Sequence, residues 1–221
     1  MKTWTGRSLL SAILVLQVAS YKHECKLPHY SFQEAFKVFA IVPQVIPVAP
    51  KAPLIRYYGD YKLRFGNRIP VAVTNSLSLY SSWPNVDANA LYTMITCDLD
   101  YPQFYFNEGV QFINGIIVNI PGANYSRGER IIGYHPPSPL PGAGDNRILT
   151  LVCEQKTGRI DITTELILRT TASRAKFSIT KFLREFKLSN PVAGNFYRSR
   201  QYACPPPGKE NNDCCDINCM K

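Results

Sequence analysis

The sequence predicts a mainly β chain of the α+β class, a body of strands with helices at its periphery. Three observations lead there. Runs rich in branched residues, "LYTMITC", "GIIVNI" and "ILTLVC", crowd the stretch from Leu54 to Cys153, and such runs suit buried strands. Helical periodicity is confined to one short segment ahead of them and one behind. Neither an internal repeat nor a second apolar core is visible, so strands and helices belong to one domain.

Residues 1–20 read as an export signal. Lys2 and Arg7 form its positive start, and "LLSAILVLQV" is its ten-residue apolar stretch. Val18 and Ser20 meet the small-residue rule for cleavage after Ser20. Ten apolar residues fall short of the roughly twenty that span a bilayer, and no later stretch approaches that length. The expectation is a soluble, secreted protein with a domain over 21–202, enough chain for a substantial core.

The elements follow in order. In "SFQEAFKVFAIVP", Ser31 and Glu34 have capping-box spacing, and Phe32, Ala35, Phe36 and Phe39 recur at helical intervals until Pro43. A helix from about Phe32 to Ile41 is predicted. The four prolines of "PQVIPVAPKAP" then exclude helix and central strand and leave an extended surface loop. "PLIRYYGDYKLRFG" contains turn signals, and "LSLYSSW" alternates like a half-buried strand. Between "GIIVNI" and "ILTLVC" lies "GYHPPSPLPGAGDNR", whose prolines and glycines dictate a long irregular loop. Loops of that length in compact domains are often functional. "SITKFLREFKL" places Ile179, Phe182, Leu183 and Phe186 on one helical face, with Ser178 as its cap. "NPVAGNFY" supplies a turn and a last strand. Residues 203–221 form a polar, proline-led, cysteine-dense tail.

Charge and cysteine usage narrow the setting. Loss of Lys2 and Arg7 lowers the formal charge of +9 by two, and the excess is uneven. Between Arg169 and Arg200 stand eight Lys or Arg and a single acid, Glu185. Such a face attracts anionic headgroups, sulfated glycans or acidic proteins, or is simply solvated. No nucleic-acid-binding motif accompanies it. Seven cysteines fit an oxidising compartment. Three bridges and one leftover thiol is the simplest count, with Cys25, Cys204, Cys214, Cys215 and Cys219 as candidates. Cys97 and Cys153 lie inside apolar runs and read equally well as buried thiols. The CC-x3-C tail has poor zinc spacing and no histidine.

Catalysis has little to stand on, and no cofactor is called for. The histidines are His23, His29 and His135, and no G-x-S-x-G, H-E-x-x-H or P-loop pattern occurs. Asp98 opposes a thiolate on its neighbour Cys97. Asp98 and Asp100, two apart at a strand end, are expected to point the same way, which is compatible with paired carboxylates but reads more readily as a structural pair braced by backbone amides. Asn124-Tyr125-Ser126 is an N-glycosylation sequon on a predicted turn.

From about Val42 to Arg200 the chain resembles the phosphatidylethanolamine-binding protein family (PEBP, or Raf-kinase-inhibitor-like). "IVPQVIPVAP" is similar to the family's leading segment, and "LSLYSSW" to its strand ending in tryptophan, here Trp83. "LYTMITCDLDYP" resembles the D-P-D-x-P signature, with Leu99 in place of the first proline and Pro102 at its end. "GIIVNIPG", "GAGDNR" in place of G-x-G-x-H-R, "CEQ", "KFSITKFLREFKL" and "PVAGNFY" complete the series in order. The resemblance implies a large central sheet backed by a smaller one, with peripheral helices. It also implies a small anion pocket at the sheet rim that takes phosphate-like groups or phospholipid headgroups. The matching positions are Asp98, Asp100, Pro102, Asn114, His135, Gly144, Asn146 and Arg147.

Asn114 and Asn146 stand where the family has histidines, and Ile148 where an aromatic residue usually follows the arginine. The cysteine tail stands where the family has a C-terminal helix. Asparagine keeps a donor but never carries charge, and charge-assisted hydrogen bonds are about twice as strong as neutral ones. Beside two carboxylates, the expectation is weak capture of phosphate. Two readings follow. One is a secreted, non-catalytic PEBP-like binding protein with a degenerate headgroup pocket. The other is an extracellular interaction or protease-inhibitor-like module that uses the fold as scaffold.

Overall fold

A computed structural model describes residues 30–76, 78, 80–101 and 110–201. The export signal, Pro102, Cys25 and the tail with Cys204, Cys214, Cys215 and Cys219 lie outside the described residues. Helix α1 spans Phe32–Val38, and its capping box forms as the spacing predicts. It stops three residues short of the expected end. Phe39 caps it, and Ala40 turns the chain with φ 51.

The strands are β1 (Ala52–Pro53), β2 (Ile55–Tyr58), β3 (Tyr61–Lys62), β4 (Tyr80–Ser82), β5 (Leu91–Asp98), β6 (Phe112–Pro121), β7 (Glu129–Ile132), β8 (Asn146–Glu154) and β9 (Ala193–Ser199). They form a six-stranded sheet in the order β1-β9-β8-β5-β6-β7 and a three-stranded sheet in the order β3-β2-β4. Only β1 runs parallel to its neighbour, and it is an edge strand, the place where proline is tolerated. "LYTMITC", "GIIVNI" and "ILTLVC" become β5, β6 and β8 at the centre of the large sheet.

Side chains alternate across a sheet, and the cross-strand register sorts them onto two faces. Ile95, Cys97, Leu149, Leu151 and Phe196 face a core closed by Ala35 and Phe36 of α1, Leu166 of α2 (Thr164–Ala172), and Ile179 and Phe182 of α3 (Ile179–Glu185). The opposite face presents Met94, Thr96, Asp98, Ile148, Asn146 and Tyr197 toward the small sheet, which contributes Leu54 and Tyr58. Burial of these aliphatic and aromatic side chains contributes about 25 cal/mol per Å² of apolar surface.

Ser178 caps α3 as predicted, and the proline-rich segment ahead of β8 is irregular. Helix α2 went unread because "TTELILRTT" mixes β-branched residues into its helical face. Its start nonetheless carries a signal, since Thr163 caps the Leu166 amide and Glu165 sits in the first turn.

Cys97 and Cys153 are both buried free thiols. They face the same side of adjacent strands, since Cys97 pairs with Leu149 and Cys153 with Thr93. Four residues along a strand place them roughly 13 Å apart, beyond the reach of a disulfide. Three bridges are therefore too many. Five cysteines remain, which admit at most two bridges.

Candidate functional site

One rim of the large sheet gathers most of the residues singled out above. Antiparallel pairing brings the end of β5 beside the starts of β6 and β8, and the register sets Asp98 opposite both Phe112 and Ile148. Asn146, two residues before Ile148, shares the Asp98 face. Its Nδ2 donates to Asp98 Oδ2 at 2.9 Å, and the Asp100 amide donates to Asp98 Oδ1 at 3.0 Å. Asp98 is almost fully buried, at 1 % exposed. Burial pushes its carboxyl up to about 7, against the opposing pull of the Asn146 bond. Burial thus moves this carboxyl's titration toward neutral pH.

Asn114 is the extra residue of a bulge, because Thr96 pairs with Gly115 while Cys97 pairs with Ile113. It is fully buried. Its Nδ2 donates to the His135 carbonyl at 2.9 Å, and the His135 amide donates to the Asn114 carbonyl at 2.7 Å. These two bonds pin the start of the proline-rich loop to β6. The Asn114 Oδ1 is buried without a partner. His135 is exposed, rests its ring against Phe112 with centroids 5.3 Å apart, and places Nδ1 2.8 Å from the Pro136 carbonyl. Gly144 has φ 102, a conformation suited to glycine, and a side chain there would meet open space.

The two acids do not point the same way. Strand β5 ends at Asp98, and Asp100 lies in the bend beyond it, where strict alternation no longer applies. Asp100 turns to the helix-covered side and takes Arg147 in a forked pair, with Nη2 at 2.7 Å and Nε at 2.9 Å. The Arg147 amide adds a third bond at 2.7 Å. Arg147 Nη1 donates to the carbonyls of Phe39 and Ala40. The arginine thus laces β8, the β5 bend and the end of α1 together, on the face away from Asp98. It is a brace between Asp100 and the end of α1, and it brings no positive charge to Asp98.

Next to Asn146, Asp145 holds Arg198, Arg200 and Arg68 at 2.8, 2.8 and 3.2 Å. This ionic knot went unread, because Arg68 is far from Arg198 in sequence and only sheet pairing joins them. No group of histidine, cysteine and acidic side chains able to hold a metal occurs among the described residues. No helix among them is long and apolar enough to cross a membrane.

Known proteins resemble the chain in both sequence and shape. No family model matches it. The 26 kDa secreted antigen of Toxocara canis is 29% identical over 162 residues, which cover 72% of this chain and 61% of that protein. The match therefore spans about three fifths of that relative. A protein of Drosophila melanogaster described as putative odorant-binding protein A5 is 26% identical over 74% of this chain and 78% of its own. Among solved structures, the phosphatidylethanolamine-binding protein from Plasmodium vivax superposes with a TM-score of 0.60. It covers 77% of this chain and 98% of its own, at 14% identity. The paired sheets and the structural likeness agree with the motif order, and the chain has the fold of the phosphatidylethanolamine-binding proteins.

Proposed function

We propose that the chain is an extracellular, non-catalytic binding protein whose rim pocket prefers a small hydrogen-bond-donating ligand to a phosphate. One observation carries this reading. The rim amides give hydrogen bonds inward, Asn146 to Asp98 and Asn114 to the His135 carbonyl; Asp98 already accepts from Asn146 and from the Asp100 and Tyr101 amides, and the buried Asn114 Oδ1 is the acceptor left without a partner. Arg147 is committed to Asp100 and two carbonyls on the other face. A phosphate dianion at Asp98 would meet acceptors and a part-charged carboxyl, which repel it. A ligand N–H or O–H would satisfy the orphaned Asn114 oxygen. Secretion is supported by the apolar leader of the sequence and by the relative described as a secreted antigen. A small-ligand role is supported by the relative described as an odorant-binding protein. The exposed turn carrying Asn124 and Ser126 is accessible for N-glycosylation.

Isothermal calorimetry and thermal shift at fixed chloride test the reading. The panel is phosphate, phosphoethanolamine, and a set of small amines, amides and alcohols. The expected result is no phosphate or phosphoethanolamine binding tighter than millimolar, with a donor compound whose binding is weakened in Asp98→Leu. Silence across the donor set, or submicromolar binding of phosphoethanolamine, removes the reading.

A further inference from the structure

The inward face of the small sheet carries an arginine. From Leu54 into β2 the buried positions alternate as Leu54, Arg56 and Tyr58, so Arg56 points between the two sheets. It is 1 % exposed. Its one hydrogen bond is Nη1 to the Met94 sulfur at 3.0 Å, and a thioether is a weak acceptor. Its guanidinium lies 5.6 Å from the Tyr58 ring centroid. No carboxylate pairs with it among the described residues. A buried guanidinium without a counter-charge is strongly disfavoured.

The surroundings are short of acceptors as well. Arg56 Nε and the hydroxyls of Tyr58 and Tyr197 are buried without a hydrogen bond of normal geometry, although the phenols of Tyr58, Tyr134 and Tyr197 lie close enough to interact. Tyr58 and Tyr197 stand edge to face with centroids 5.4 Å apart. Burial, and then neighbouring Tyr58, push the phenols of Tyr134 and Tyr197 upward, so both stay protonated donors. Arg56 lines a small cleft between the sheets that is partly open to solvent. Met94, Ile117 and Ile132 form apolar walls, with Thr96 and Tyr134 beside them and exposed Arg130 at the mouth. Its enclosed part admits about one water-sized sphere.

A cavity lined by two arginines, with the Tyr58 and Tyr197 hydroxyls behind Arg56 and no acidic side chain in its wall, is built for an acceptor that carries negative charge. We propose that the space between the two sheets is an anion site, in which Arg56, supported by Tyr58 and Tyr197, holds one small monovalent anion, either a halide or the carboxylate of a small acid. The apolar walls and the open mouth at Arg130 give an acid's tail somewhere to lie. The site is separate from the rim, because Thr96 and Met94 lie deeper along β5 than Asp98 and neither rim amide lines it.

The test uses the full purified chain in gluconate buffer at constant ionic strength and pH. Bromide, acetate and butyrate are titrated while Tm is followed, and crystals soaked in bromide are examined for anomalous scattering. The expected result is a saturable rise in Tm, about 5 °C or more once an anion exceeds its Kd a hundredfold. A bromide peak within hydrogen-bonding distance of Arg56 Nε is expected with it. A stronger response to bromide than to either acid marks a halide site, and butyrate above acetate marks a carboxylate with a seated tail. Arg56→Met, which removes the charge at similar volume, loses the response, while Arg56→Lys keeps part of it. If Arg56→Met fails to fold, Tyr197→Phe supplies the readout, with anion affinity lowered several-fold. An ordered water without anomalous signal at Arg56, or an anion response unchanged in Arg56→Met or Tyr197→Phe, overturns the proposal.

Discussion

Two buried polar clusters flank the large sheet and are finished differently. At the end of the sheet away from the rim, Asn119 and Gln155 satisfy each other and everything near them. Gln155 Oε1 accepts from the Asn119 amide at 2.7 Å and from Thr93 Oγ1 at 2.9 Å. Gln155 Nε2 donates to Asn119 Oδ1 at 2.9 Å and to the Gly158 carbonyl at 2.8 Å. Asn119 closes the loop on both the amide and the carbonyl of Ile160. At the rim and behind it, polar groups are left over: the Asn114 Oδ1, the Tyr58 and Tyr197 hydroxyls and Arg56 Nε. A closed network specifies a fold, and unspent polar capacity marks where something else belongs. The contrast sets most of the unspent polar groups in one half of the molecule and the closed network in the other, with Trp83 Nε1, beside Tyr92, also buried without a partner.

The largest effect should come from opening the closed network. Gln155→Leu strands the Asn119 amide, the Thr93 hydroxyl and the Gly158 carbonyl, and should cost about 3–5 kcal/mol in urea unfolding without altering ligand binding. An equally large loss of ligand affinity in that variant would erase the distinction between the two halves.

Next in size is the pH response of Asp98. Its carboxyl titrates near 7 in the fold, against an ordinary value of 3.8. Below both values the two states are protonated alike and the group costs nothing. As pH rises from about 4 to 7 the unfolded chain releases this proton first, so stability falls, and above 7 the full penalty stands. Relative to Asp98→Asn, the wild-type chain should lose about 2–3 kcal/mol between pH 5 and pH 8. Parallel curves for the two proteins would show that Asp98 is ionised throughout and that the rim is more polar than its burial implies.

Arg147→Ala should cost about 2 kcal/mol, because it removes a forked, partly buried ion pair and two carbonyl contacts. Ligand affinity at Asp98 should change less than threefold, since the brace lies on the other face. The smallest effect should be at Asn124, beyond both clusters. Asn124→Gln should remove a glycan mass from protein secreted by eukaryotic cells and shift stability by less than about 0.5 kcal/mol.

Much of the fold was legible because its signals are local. The Ser31 and Glu34 capping box, the Ser178 cap and the branched runs of β5, β6 and β8 each specify their own element. The rim was legible as a set of residues but not as a geometry. The spacing of Asp98 and Asp100 suggested a shared direction, and only the end of β5 at Asp98 separates them. The Arg56 cluster was hidden for a different reason. "LIRYY" alternates like any exposed-edge strand, and an arginine there ordinarily reads as solvated. The signal was its register with Leu54 and Tyr58, which the second sheet turns inward.

The most direct measurement is calorimetric titration of the purified domain with phosphoethanolamine at pH 7 and fixed chloride. A rim of acceptors with its amides turned inward predicts no binding tighter than millimolar. A submicromolar Kd, lost in Asp98→Leu, would contradict it.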